Sequence, residues 1–118
     1  MTIKELYEKI GGNYEDVRGR LMKDSFIEKF ALMYTKDSSY NTLLAAIESK
    51  NISEEFRAAH TLKGISANLG FEELCKAASE LTEQLRPQND VANAALVAAV
   101  KAAHEKIIAG LAEYQAQK

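Results

Sequence analysis

The chain has one proline in 118 residues, Pro87, so no ring-locked φ or missing N–H bars its first 86 positions from helix. Helix-favouring residues fill that space, with 18 alanines, 13 glutamates, 12 leucines and 11 lysines. These features predict an all-α protein. The interruptions are short: Gly11-Gly12-Asn13, Met22 to Ser25, Asp37-Ser38, Lys50 to Ser53, Gly70-Phe71 and Arg86 to Asp90. Between them lie about seven helical segments.

The first two, near 2–10 and 13–20, are too short to be stable alone, so we expect them to pack as a pair over one end of a bundle through Ile3, Leu6, Tyr7, Ile10, Val17 and Leu21. A segment near 25–36 opens with Ser25 and Glu28 at capping-box spacing and presents Phe26, Phe30 and Met33 as its apolar residues. Residues 38–49 follow, with Tyr40, Leu43, Leu44 and Ile47 on one face, and should form a hairpin with the segment before. A helix over 53–69 begins after a capping pattern at Asn51 to Glu54, and Gly70 is placed to end it in a left-handed conformation. The next, 71–86, carries Phe71, Leu74, Ala78, Leu81 and Leu85 and stops before Pro87. The last, 91–116, aligns Leu96, Val100, Ala103, Ile107, Leu111 and Tyr114. The expected architecture is an antiparallel four-helix bundle with short additional N-terminal helices, one domain spanning 1–118.

Charge narrows the function. Fifteen basic and seventeen acidic residues leave a formal net charge of −2, which gives no general attraction to nucleic acid or anionic lipid. The charged N-terminus lacks a signal-peptide core, and no apolar run of ~20 residues exists to span a membrane. The single cysteine, Cys75, cannot form an internal disulfide, and no ligand cluster accompanies it, so we expect a packing role in a reducing, cytoplasmic setting.

The informative residue is His60. At about 100° per residue, Ala58, Leu62, Ile65 and Leu69 form the buried stripe of helix 53–69, and His60 points roughly 170° away from its centre. That angle disfavours a core histidine and predicts an exposed ring, which alone would fit an ordinary solvated side chain. Its company argues for more. Lys63 lies one turn on, able to hold an ammonium beside an anion on the imidazole. Gly64 lies directly under the ring, where alanine would favour the helix by about 0.8–1 kcal/mol, so the missing side chain clears space. An exposed imidazole with a cation and an open approach suits a phosphoryl group: a neutral ring nitrogen attacks phosphorus without a dedicated base. No acidic cluster that would hold magnesium stands beside His60 in the sequence, so the remaining catalytic groups must come from a partner.

The stretch Ala59-His-Thr-Leu-Lys-Gly-Ile-Ser-Ala-Asn-Leu-Gly70 resembles the phosphoacceptor motif of histidine-containing phosphotransfer (HPt) domains, with His60, Lys63, Gly64 and Gly70 at matching positions. The resemblance extends loosely to Gly11-Gly12, Phe30 and the helix after Phe71. It implies that His60 is the phosphorylated residue, that Lys63 steadies the phosphoryl group, and that Gly64 admits the incoming domain. It also implies aspartates of response-regulator receiver domains as donor and acceptor, a sensor histidine kinase (often hybrid) as the first source of phosphate, and magnesium only on the receiver, with no cofactor of its own. Phe56 and Ala67 are the docking-rim candidates readable on this helix, with burial the alternative for Phe56, which sits at the edge of the exposed face. The chain should be a monomeric carrier and not an autonomous kinase, since none of its six glycines builds a nucleotide-binding loop. Its methionine start and full last helix fit a free-standing carrier better than a kinase fragment. The alternative from another class is a helical adaptor that binds receivers or other signalling proteins without being phosphorylated.

Four other features have plainer expectations. His104 flanks the apolar stripe of the last helix and should be solvated. Glu54-Glu55 and Glu72-Glu73 read as first-turn charges favoured by the helix dipole. Arg18, Arg20 and Lys23 read as a solvated basic patch, and Asn68 as an aid to ending its helix.

Overall fold

The computed structural model describes residues 1–117, and every regular element among them is helical. The helices are α1 (Ile3–Lys9), α2 (Tyr14–Leu21), α3 (Asp24–Met33), α4 (Ser39–Glu48), α5 (Ile52–Leu69), α6 (Glu72–Leu85) and α7 (Ala94–Ala116), with a 3-10 turn at Tyr34–Lys36 after α3. Each lies within three residues of its sequence-predicted bounds. The end of α3 and the start of α7 shift most; at α7, Asn93 Oδ1 accepts from the Ala95 and Leu96 amides and so fixes the start there. α4 packs on α5, α5 on α6 and α6 on α7, the up-and-down bundle that short connections impose, while α1–α3 attach beside it. One apolar core runs from Ile3 to Tyr114, with Tyr7, Leu62, Phe71, Leu81 and Ile107 fully enclosed.

The N-terminal pair does more than cover an end. α5 finishes at Gly70 (φ 70°), where Phe71 N–H reaches Ser66 O at 2.9 Å and Gly70 N–H reaches Ala67 O at 3.2 Å, the two bonds of a Schellman stop. The remaining end carbonyls are taken by α1, α2 and their connection. Tyr7 Oη donates to Leu69 O at 2.6 Å, Arg20 donates to Ala67 O and Asn68 O at 2.9 and 3.1 Å, and Asn13 N–H donates to Gly70 O at 2.8 Å. Arg20 also pairs with Asp16 and Arg18 with Asp24, while Arg18, Arg20 and Lys23 are all exposed, as a solvated patch should be.

Four expectations about α3 and α5 are corrected. Ser25 does not cap α3: Met22 turns into the left-handed region, Lys23 becomes the extended first residue, and the helix starts at Asp24. The face of α3 that enters the core is Ile27 and Ala31, while Phe26, Phe30 and Met33 stand exposed at 46, 38 and 54%. Both stripes are apolar, and the small Ala31 lets the helix sit closer than the phenylalanines would. In α5 the buried residues are Glu55, Ala58, Ala59, Leu62 and Ser66, with Ile65 and Leu69 only half-buried. Small side chains at 59 and 66 turn that face toward α6, and Ser66 Oγ satisfies itself on Leu62 O at 2.8 Å. Glu55, expected as a dipole charge only, is enclosed and accepts from Ala92 N–H at 3.0 Å, tying α5 to the connection before α7.

His104 is likewise not solvated. It is half-buried, its ring stacked on Tyr40 at 3.7 Å, with Tyr34 Oη 2.7 Å from its Nδ1. Burial holds the Tyr34 phenol far above its ordinary range, so the hydroxyl stays protonated, and which partner donates in this bond follows the imidazole tautomer.

Burial lowers the His104 pKa against a weaker opposing pull from Glu105, so the unfolded chain takes up this proton before the folded one. The contribution is complete above the ordinary histidine value of 6.5 and is lost as pH falls below it toward the folded value. Thermal midpoints between pH 7.5 and about 5.5 should therefore decline, and His104→Phe should flatten that slope; an unchanged slope in the variant would assign the effect elsewhere.

Candidate functional site

α5 holds its middle turns between α4 and α6, and the face left over carries the residues of the sequence motif. His60 is exposed, as its angle on the helix predicts. One turn earlier the half-buried Phe56 ring stacks alongside it, centroids 6.1 Å apart and planes 18° from parallel, which restricts the imidazole on that side. One turn later Lys63 is half-buried along its stem. Lys63 enters none of the ion pairs among the described residues, so its ammonium is unclaimed.

Gly64 is exposed, and a Cβ placed on it would meet no heavy atom within 4 Å apart from the helix's own backbone. The glycine therefore does not serve internal packing; what its absent side chain clears is solvent-side space next to His60. Ala67, exposed a further turn along, continues the open strip. The four residues thus form one uninterrupted face: a free imidazole, a cation and two positions of minimal bulk.

Two neighbours of this face escaped sequence reasoning. On the α6 side, Glu83 and Arg86 form a bidentate pair, and the Arg86 guanidinium sits 5.5 Å from the Phe56 ring centroid. The Arg86 hydrogen bonds hold the Glu83 carboxyl below the usual carboxylate range, and the charges of Arg86, Lys63 and His60 act in the same direction. On the other side, Phe30 and Met33 of α3 line a groove with Ile65, Asn68 and Leu69 of α5. Asn68 lies about 12 Å along the helix from His60. Neither neighbour has a fixed sequence spacing to His60, and the amphipathic reading of α3 assigns its phenylalanines inward; an excess of apolar residues over one face was the available signal.

Cys75 is half-buried with Sγ 3.8 Å from Lys63 O, a weak contact to the backbone of the site helix. Asn68 is exposed, and it is its carbonyl, through Arg20, that takes part in ending α5.

The bundle thus presents a solvent-facing histidine beside a lysine free of ion pairs and a glycine with open space over it. The Hpt domain model matches residues 37–110, from the start of α4 through most of α7, and the chain belongs to that family. Hpt domains are phosphocarrier modules of two-component phosphorelays. No curated protein and no solved structure matches the chain. No described helix is long and apolar enough to cross a membrane.

Because the space over Gly64 is open, Gly64→Leu should keep the fold and raise stability by up to about 1 kcal/mol in urea denaturation, the gain in helix propensity over glycine. A marked loss would mean that the glycine is needed for packing.

Proposed function

We propose that this chain is a phosphorelay carrier that loads phosphoryl on His60 and exchanges it with aspartates of response-regulator receiver domains. The observation that carries the reading is the exposed imidazole beside an unclaimed ammonium and an open glycine, within the segment that matches the Hpt family. In the loading step the lone pair of a His60 ring nitrogen attacks phosphorus of the aspartyl phosphate. The N–P bond forms, the P–O bond to the acyl group breaks, and its electron pair leaves with the aspartate carboxylate; delivery is the reverse. Lys63 neutralises the phosphoryl oxygens in both directions. On this reading the chain needs no nucleotide site or cofactor of its own and the magnesium belongs to the receiver, so the complete catalytic shell exists only in the complex. A sensor histidine kinase stands upstream of the relay.

The receiver docks over the strip formed by Phe56, His60, Gly64 and Ala67 and extends across the groove onto Phe30 and Met33 of α3. A standard interface covers about 800 Å² per partner, wide enough to reach from His60 to the α3 stripe. Exposed aromatic and methionine side chains are the residue types that anchor such contacts. The carrier is a monomer of one helical unit, residues 1–118, working in the cytoplasm, since it must offer the same face to successive partners.

Incubation with a labelled phosphorylated receiver should place acid-labile, base-stable phosphate on the chain, and His60→Gln should abolish it. Gly64→Leu should remain folded and be poorly labelled, while Lys63→Ala should slow transfer or shorten the phosphohistidine lifetime by roughly fivefold, the worth of one exposed charge contact. Label persisting in His60→Gln would move the site; receiver binding with no transfer across a broad panel would favour a non-phosphorylated adaptor.

The joint replacement Phe30→Ser and Met33→Ser should leave helicity unchanged and raise the Kd for the receiver roughly tenfold or more, as loss of an interface anchor does. Titration calorimetry decides; an unaltered Kd would place docking wholly on α5 and its other neighbours.

A further inference from the structure

The Glu83–Arg86 pair contributes little to the fold. Both side chains are about half exposed, at 59 and 51%, and ion pairs of that kind have small effects on stability. Its position is more informative. Arg86 Nε and Nη2 reach Glu83 Oε2 and Oε1 at 3.0 and 2.8 Å, while the guanidinium lies over Phe56, whose ring stacks on His60. The guanidinium and the imidazole thus rest against the same benzyl ring. The charges of Lys63 and His60 also act weakly on the Glu83 carboxylate.

Before phosphorylation Glu83 neutralises Arg86 and leaves Lys63 as the uncompensated charge. A phosphoryl group on His60 brings about two negative charges beside these groups. Glu83 is then repelled and Arg86 attracted, and the guanidinium fork matches phosphoryl oxygens at least as well as a carboxylate. We propose that Arg86 is a second phosphoryl ligand held in reserve: on loading of His60 it leaves Glu83, stays against Phe56 and donates to the phosphoryl oxygens across from Lys63, and Glu83 takes it back when the group departs. This rests on His60 being the phosphoacceptor. Arg86 is exposed at the end of α6, where its long side chain has room to turn, and Phe56 offers a surface to both the guanidinium and His60.

The chemical effect is on lifetime. Phosphoryl oxygens carry about two charges in the phosphohistidine but share about one in a loose, metaphosphate-like transition state. A cation on those oxygens favours the loaded state and slows loss to water.

Phosphoramidate, a small donor that needs no receiver, tests the idea: the His60 nitrogen forms its bond to phosphorus as the bond to ammonia breaks, and ammonia leaves as ammonium. Phosphorus NMR follows the loaded protein and its decay, and the Arg86 Nε–H resonance reports where the guanidinium is. We expect that resonance to shift on loading. Hydrolysis should be roughly three- to tenfold faster in Arg86→Ala, intermediate in Arg86→Lys, and slower than wild type in Glu83→Gln, with circular dichroism unchanged in all three. A structural ion pair would instead make the Arg86→Ala and Glu83→Gln variants move together, since either breaks it. That result, or an unmoved Arg86 resonance in fully loaded protein, overturns the proposal. If wild type gives no phosphohistidine signal, or gives one that survives His60→Gln, the reading of His60 fails and takes this inference with it.

Discussion

The carbonyls at the end of α5 are the point on which the rest of the structure turns. A helix this long leaves its last carbonyls without intrahelical partners, and each one buried unpaired would cost about 1–3 kcal/mol. Here the left-handed Gly70 closes two bonds within the helix end, and Tyr7, Arg20 and Asn13 answer the carbonyls of residues 67 to 70 from outside. Gly70 cannot be exchanged cheaply, because a Cβ there would fall 2.9 Å from the Val17 Cβ on top of the strain of positive φ. Two N-terminal helices too short to stand alone thereby fix the axial position of the helix that carries His60. The family match begins only at residue 37, so this clamp is built by residues outside the matched segment.

Small residues on α5 serve two opposite purposes. Ala58, Ala59 and Ser66 face inward, where low bulk lets α4 and α6 approach closely and where Ser66 needs no outside partner for its hydroxyl. Gly64 and Ala67 face outward, where nothing in the chain touches the space they leave. The first set determines which charged residues of α6 arrive beside His60. On the proposed function, the second leaves a visiting domain room to reach it. A uniform substitution of larger side chains would therefore damage the bundle at one set of positions and the function at the other.

Much of this was legible in the chain. Helix content, the breaks, the left-handed stop at Gly70 and the outward direction of His60 follow from local chemistry and a 3.6-residue period, and those signals survive into the structure because tertiary packing does not oppose them. What failed were choices that packing decides. On α3, two apolar stripes compete, and periodicity selects the bulkier Phe26–Phe30–Met33 line although Ile27 and Ala31 fit the core. The capping residues Ser25 and Glu28 were chemically suitable, but the left-handed turn at Met22 had already set the start of the helix. His104 reads as a flank residue on its own helix; its enclosure comes from Tyr34 and Tyr40, more than sixty residues away along the chain. The same limit hid Arg86 and the clamping role of Arg20, since no spacing rule relates a site on one helix to charges delivered by another.

A phosphoryl carrier works under a constraint that an enzyme active site does not share. Its loaded state must outlast the search for the next partner, yet binding the group too firmly would raise the barrier to handing it on, because only stabilisation that grows in the transition state speeds transfer. Residues of the carrier that hold the ground state should therefore be few and weak, with the strong electrostatics left to the receiver and its metal. The face around His60 has that balance: one unclaimed lysine, one arginine countered by a carboxylate, and open space where further ligands would otherwise stand. On the proposed reading Glu83 keeps the balance from tipping, since without it two cations would be free to hold a phosphoryl group on His60 and deepen the well in which it rests. Its cost to stability is negligible on an exposed helix turn, which leaves the charge at this position free to be set by how long the cargo should stay.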